Sequence, residues 1–208
     1  AYERARVLCE RVCAPPDRFQ VLMGLRRYTW MRGKLEAVDA LGERLLSLAQ
    51  EMSNRSALAR AHLMQAEVSY WRGAFLKAIK HSEQGLSVYD PKQRRSHLQL
   101  YGTDTGTGCA MLEALSLWHL GYPDQALAGA NEALALSQES FHPFDRSLLF
   151  YFAGLLHQLR REAQSVREHA RAVIRQAGEQ GFSLLTSWGL ILHGWALVAD
   201  GEAKAGIA

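Results

Sequence analysis

The chain has 208 residues, of which 48% are hydrophobic and 22% charged, with a formal net charge of +3. A chain this apolar buries a sizeable core, which excludes wholesale disorder. So small a positive excess neither demands nor rules out a nucleic-acid partner. With only five prolines, much alanine, leucine, glutamate, glutamine and arginine, and few alternating β-branched runs, the composition predicts an all-α protein. The three cysteines, Cys9, Cys13 and Cys109, are an odd number and form no disulfide framework, which fits a reducing cytoplasm.

In chain order, residues 1–13 read as the closing helix of a preceding unit, ended by Pro15 and Pro16. Helical hairpins are predicted at 18–53, 56–90, 108–139 and 144–180, and a last helix begins near Phe182 with its partner broken off after Gly201. The turns are Trp30-Met-Arg-Gly33, Tyr70-Trp-Arg-Gly73, Trp118-His-Leu-Gly121 and Val198-Ala-Asp-Gly201, with Gln158-Leu-Arg-Arg161 in phase but without glycine. Glycine at these ends adopts the left-handed conformation that closes a helix.

Small residues keep the same rhythm. Gly73 is followed by Ala78 and Gly85, Gly121 by Ala126 and Ala133, and Gln158 by Ala163 and Ala170. Seven positions before the turn glycines stand Ala66, Ala114 and Gly194. Positions seven apart share a helix face, and small side chains there let helices approach closely. The repeat predicts an α-α superhelix, a tetratricopeptide-like solenoid of about five hairpins, with turns roughly 40 residues apart against ~34 in the standard unit.

Pro123 and Asp124 suit a helix start, and Asp90-Pro91 a helix stop. Residues 91–108 break the rhythm and read as a long connector, partly helical around 95–100. The apolar stretch 184–199 is interrupted by Ser187, His193 and glycines, and reads as a buried helix, not a membrane span. The chain opens at Ala1 without methionine or a signal-peptide pattern, and ends at Ala208 inside a new helical pattern, as expected of a segment of a longer protein.

Catalytic and cofactor signatures are weak. Gly102-Thr-Asp-Thr-Gly-Thr-Gly108 lacks the Gly-Lys-Ser/Thr ending of a phosphate loop, and reads as a connector with a helix cap. His119, His157 and His193 have no metal-ligand spacing, and two thiols at Cys9 and Cys13 make a poor zinc site. No Gly-x-Ser-x-Gly elbow occurs. Carboxylates such as Glu132 and Glu139 fit exposed helix faces, so no catalytic residue, cofactor or metal is expected. Arg160, Arg167, Arg171 and Arg175 recur at near-helical spacing with Glu162, Glu168 and Glu179 between them, a solvated face or an anion-binding one.

Aromatics carry more information. The turn phase sets Trp30, Tyr70, Trp71, Trp118, Trp188 and Trp195 on the first helices of the hairpins, where they serve either the core or a partner-binding groove. Arg27, Arg60, Glu67 and His119 are the polar neighbours expected in that groove.

Several strings resemble the C-terminal helical-repeat region of large bacterial proteins that combine a class III adenylate/guanylate cyclase domain with an ATPase. They are Ala1-Tyr-Glu-Arg-Ala-Arg-Val-Leu-Cys9, His81-Ser-Glu-Gln-Gly-Leu-Ser-Val-Tyr-Asp-Pro91, Gly121-Tyr-Pro-Asp-Gln-Ala-Leu127, Leu156-His-Gln-Leu-Arg-Arg-Glu162, Glu179-Gln-Gly-Phe182 and Gly194-Trp-Ala-Leu-Val-Ala-Asp-Gly201. The resemblance spans nearly the whole chain, although relatives carry kinase or other output domains in place of the cyclase. Where that family has proline after the aspartate of the Tyr101–Gly102 loop, this chain has Thr105, which implies a less rigid loop.

The resemblance implies a signalling protein whose ATPase and catalytic domains precede this region. None of their catalytic residues maps here. The expected role is a non-catalytic regulatory module that binds a protein segment, or the upstream ATPase or cyclase domains of its own chain, without membrane and with nucleic acid disfavoured. A small-molecule effector sensor and an anion-binding surface are the alternative roles.

Overall fold

The computed structural model describes residues 14–137 and 142–207, and every regular element among them is helical. The helices are α1 (Pro15–Met31), α2 (Leu35–Glu51), α3 (Arg55–Trp71), α4 (Phe75–Val88), α5 (Arg94–Tyr101), α6 (Thr105–His119), α7 (Pro123–Ser137), α8 (Pro143–Leu159), α9 (Ala163–Glu179), α10 (Ser183–Ala199) and α11 (Ala203–Ile207). A short 3-10 turn, Pro91–Gln93, precedes α5. The expected helix over 1–13, with Cys9 and Cys13, lies outside the described residues, as does Glu139.

Helix ends follow local chemistry. Asn54 caps α3 by accepting from the Ala57 amide, and Asp104 caps α6 by accepting from the Thr107 amide. Prolines open α1, α7 and α8, where the missing N–H removes no helical bond. Most turns close on a residue with positive φ: Gly33, Ser53, Gly73, Gly102, Gly121, Arg161, Gly181 and Gly201. Steps from Gly33 to Gly73, Gly121 to Arg161 and Arg161 to Gly201 are each 40 positions, whereas Gly73 to Gly121 is 48. The excess falls where α5, an eight-residue helix, has been added.

Three readings from the sequence are corrected. The connector at 91–108 is mostly helix: Gly102 closes α5 at φ 73°, and Thr105 to Gly108 already form the first turn of α6. Its glycines and threonines mislead because they lie within a capped helix start, which favours such residues. In the glycine-less turn the left-handed residue is Arg161, at φ 64°. The small pair in register there is therefore Val166 and Val173, both fully buried, rather than Ala163 and Ala170. Finally, α10 is buried on one side only; Leu190 and Ile191 are 55% and 69% exposed.

The chain divides into two compact units at Pro91/Lys92, where the rhythm changes. In the first unit, α1 packs on α2, α2 on α3 and α3 on α4. Its core is built from Phe19, Val38, Leu45, Ala61, Val68 and Ala78. In the second unit, paired helices pack against each other, and α6, α8 and α10 also touch in succession. Val166, Ala170, Leu192 and Ala196 form one buried cluster and Val173, Ala177 and Leu185 another. Cys109 is a buried thiol.

Within the second unit a buried polar network fixes α5 against its neighbours. The Asp104 amide donates to the Asp145 Oδ1 at 2.9 Å, Arg94 Nε lies 3.4 Å from Asp104 Oδ2, and His97 Nδ1 is 2.7 Å from Thr105 Oγ1. The amides of Asp104 and Thr107 thus already bond to the protein's own carboxylates, which leaves that helix start little to offer a phosphate.

Candidate functional site

In the first unit, the first helices of successive hairpins, α1 and α3, meet through a charge. Arg26 on α1 is buried, yet its guanidinium donates to Glu67 Oε2 at 3.0 Å and to the Met64 carbonyl at 2.5 Å on α3. The same guanidinium lies 5.5 Å from the Trp30 ring centroid. Tyr70 is buried, edge-on to Trp71 at 5.3 Å and 5.8 Å from Phe75. Trp71 is 44% exposed, and Tyr28 and Met31 are more so.

The structure thus brings Trp30 and Glu67 together through a residue the sequence did not single out. Arg27 is exposed, and the bridge to Glu67 is made by Arg26. The signal for Arg26 was present: it stands seven positions before Gly33, the register where other hairpins have Ala66, Ala114 and Gly194. A large cation at a small-residue position announces a cross-helix contact. Arg60 is half-buried on α3.

A second polar group of this unit joins α2, α3 and α4. Gln65, fully buried on α3, donates to Glu43 Oε1 at 2.5 Å and Asp39 Oδ1 at 3.3 Å on α2. Arg72 pairs with Asp39 at 3.0 Å, and Lys77 of α4 lies 3.8 Å from both carboxylates. Gly42 makes room for Gln65, because a Cβ there would collide with its Oε1. Next to this group, the Nδ1 atoms of His62 on α3 and His81 on α4 are 3.1 Å apart. Burial, then the neighbouring His81, lowers His62 to about 4, and burial lowers His81 as well.

In the second unit, Trp118 is half-buried and packs edge-on to the exposed His119 at 5.1 Å. Trp195 packs with Tyr151 and Leu155 on one core cluster, and Trp188 stacks on Tyr151 at 4.8 Å. Burial raises the Tyr151 hydroxyl above its ordinary value. Both tryptophans of α10 are therefore structural supports as much as surface.

The four arginines do not form a single face. Arg160 sits at the end of α8, bonded to Glu162 at 2.9 Å and to the Pro123 carbonyl at 3.1 Å. Arg167 pairs with Asp200. Arg171 and Arg175 are exposed on α9. Burial works to raise the Glu162 carboxyl, but hydrogen bonds from His157 and Arg160 outweigh it and hold it below the usual range. Among the described residues no group of three or more His, Cys, Asp or Glu is placed to hold a metal ion, and no helix is long and apolar enough to cross a membrane.

A solved structure similar to this chain is that of BtubC (BKLC) from P. vanneervenii, with a TM-score of 0.64 and 18% identity over 99% of this chain and 84% of the other. At that identity the likeness shows a shared helical fold alone. No protein-family model matches the chain, and no curated protein matches it.

Proposed function

We propose that this chain is a tetratricopeptide-like solenoid serving as a non-catalytic interaction module of a larger bacterial signalling protein of the ATPase–cyclase type. Its partner would be a protein segment or an upstream domain of the same chain. The observation that supports this reading best is the α1–α3 face of the first unit. Arg26 and Glu67 lock two first helices together there, and Arg27, Tyr28, Met31 and Trp71 stand exposed on the same two helices. A rigid scaffold presenting aromatic and cationic side chains has the composition of a binding hot spot. Binding would regulate an output domain through differential affinity for its two states.

The test is retention of a partner from lysate of the source organism by the unmodified chain and by an Arg27→Ala/Trp71→Ala variant. Both positions are exposed, so the variant keeps the core intact. Loss of a specific partner, or of the protein's own upstream domains, supports the surface. Equal retention by both baits, or none by either, removes it.

A further inference from the structure

The side-chain pair that joins α3 to α4 has a geometry of its own. The His62 and His81 ring centroids are 5.4 Å apart and the Nδ1 atoms 3.1 Å, with the planes tilted by 38°. The centroids are farther apart than the nitrogens by about the sum of the two ring radii, so each Nδ1 points straight at the other. A shared metal ion would need both lone pairs to converge on a third point, and this collinear arrangement does not provide one. It is the geometry of a single N–H···N hydrogen bond, one ring carrying its proton on Nδ1 and the other accepting.

That bond has a definite response to protons. A first added proton goes to Nε2 of the donor ring, which becomes an imidazolium and still donates to its neighbour. A second must go to the accepting Nδ1 itself. Two N–H groups and two positive charges then face each other across 3.1 Å, and the bond is replaced by repulsion. The charged groups around the pair are Asp39 and Glu43 from α2, Arg72 in the turn after α3 through its pairing with Asp39, and Lys77 and Lys80 from α4. The carboxylates favour protonation and the lysines oppose it, leaving burial as the largest influence.

The second unit supplies a natural counterpart. His81 follows Gly73 by eight positions, as His169 follows Arg161, and His62 precedes Gly73 by eleven, as Phe150 precedes Arg161. Phe150 and His169 meet at 6.0 Å and 37°, nearly the same ring geometry. These two hairpins thus place two rings at this register, where the α1–α2 hairpin has Leu22 and Leu41 and the α6–α7 hairpin Ala110 and Gly129. Only in the α3–α4 hairpin are both rings ionisable.

We propose that His62 and His81 form an acid-sensitive latch between α3 and α4, closed while the pair holds at most one extra proton and released when it holds two. Because α3 carries Glu67, Tyr70 and Trp71, release would also disturb the candidate surface; that last link rests on the proposed function, whereas the latch does not.

The test compares the full chain with His62→Phe, which copies the ring pair of the α8–α9 hairpin. Urea midpoints are read from helix content at about pH 7.5 and about pH 4.5. The expected result is that the wild-type midpoint falls more on acidification than that of His62→Phe. Because burial of His62 alone would also give that, the His81 ring protons are expected to report proton uptake at higher pH in His62→Phe than in the second step of the wild type; an unchanged His81 titration overturns the latch. Equal falls overturn the latch. Should the variant fail to fold, ring-proton NMR of the folded wild type decides: two separate steps for the His62–His81 pair, the second well below the ordinary histidine range, support the latch, and both steps close to the ordinary value overturn it.

Discussion

The α3–α4 hairpin of the first unit and the α8–α9 hairpin of the second share one backbone register but are held together differently. Around α3, buried Gln65 reaches Asp39 and Glu43, while Arg72 and Lys77 complete an ion network and two imidazoles face each other. Around α8, the contacts are mostly apolar and aromatic: Phe144 on Phe182 at 5.4 Å, Tyr151 on Trp188, and Leu192 beside the gap left by Gly154. Register sets where side chains meet; residue type sets what the meeting does. The position seven before the turn residue makes the same point. It is Ala66, Ala114, Gly154 and Gly194 in four hairpins, where helices close in, and Arg26 in the first, where a cation spans to the next helix.

If apolar packing holds the second unit, Leu156→Ala should give the largest effect. Leu156 is fully buried on α8, and such truncations cost about 2–5 kcal/mol. Urea unfolding measures it, and a loss below about 1 kcal/mol would mean that α8 is held by something other than its core. In the first unit, Arg26→Ala should cost about 1–3 kcal/mol, because the half-buried Glu67 and the buried Met64 carbonyl lose their donor. Arg26→Lys should recover only part of this, since an ammonium lacks the fork that reaches both acceptors. Full recovery with lysine would reduce the contact to simple charge.

Acid is expected to weaken both hairpins by a smaller amount. Burial holds His62 and His169 at about 4 against 6.5. An unfolded chain therefore takes up protons at a pH where the folded chain keeps these rings neutral. Their contribution is complete above 6.5 and is lost progressively as the pH falls toward 4. Urea midpoints of His169→Phe across that window should fall less than those of the wild type; an unchanged slope would assign the acid sensitivity elsewhere.

The smallest expected effect is a gain. Arg161 occupies a left-handed conformation that the other first-to-second-helix turns of this phase give to glycine. Arg161→Gly should raise the unfolding free energy by about 0.5–1 kcal/mol, as strain relief exceeds the added chain entropy. A loss in the same measurement would mean that the arginine side chain outweighs its backbone strain.

The all-helical character, four turn glycines, the helix start at Pro123 and the small-residue register of the glycine-closed hairpins were legible along the chain, because each depends on a residue's own backbone preference or on spacing within one helix, whereas Pro15, read as a helix stop, opens α1. Tertiary structure decided the rest. The amide of Asp104 meets Asp145, which is 41 positions away, and that contact makes a presumed connector a capped helix. Arg26 rather than Arg27 faces α3, because a rotation of one residue on a helix separates a buried bridge from an exposed side chain. The tryptophans of α10 became core supports when Tyr151 came under Trp188. His62 and His81 are 19 positions apart and unremarkable in one dimension; only the closure of α3 on α4 sets one nitrogen against the other, because partners across a hairpin are chosen by packing and not by sequence distance.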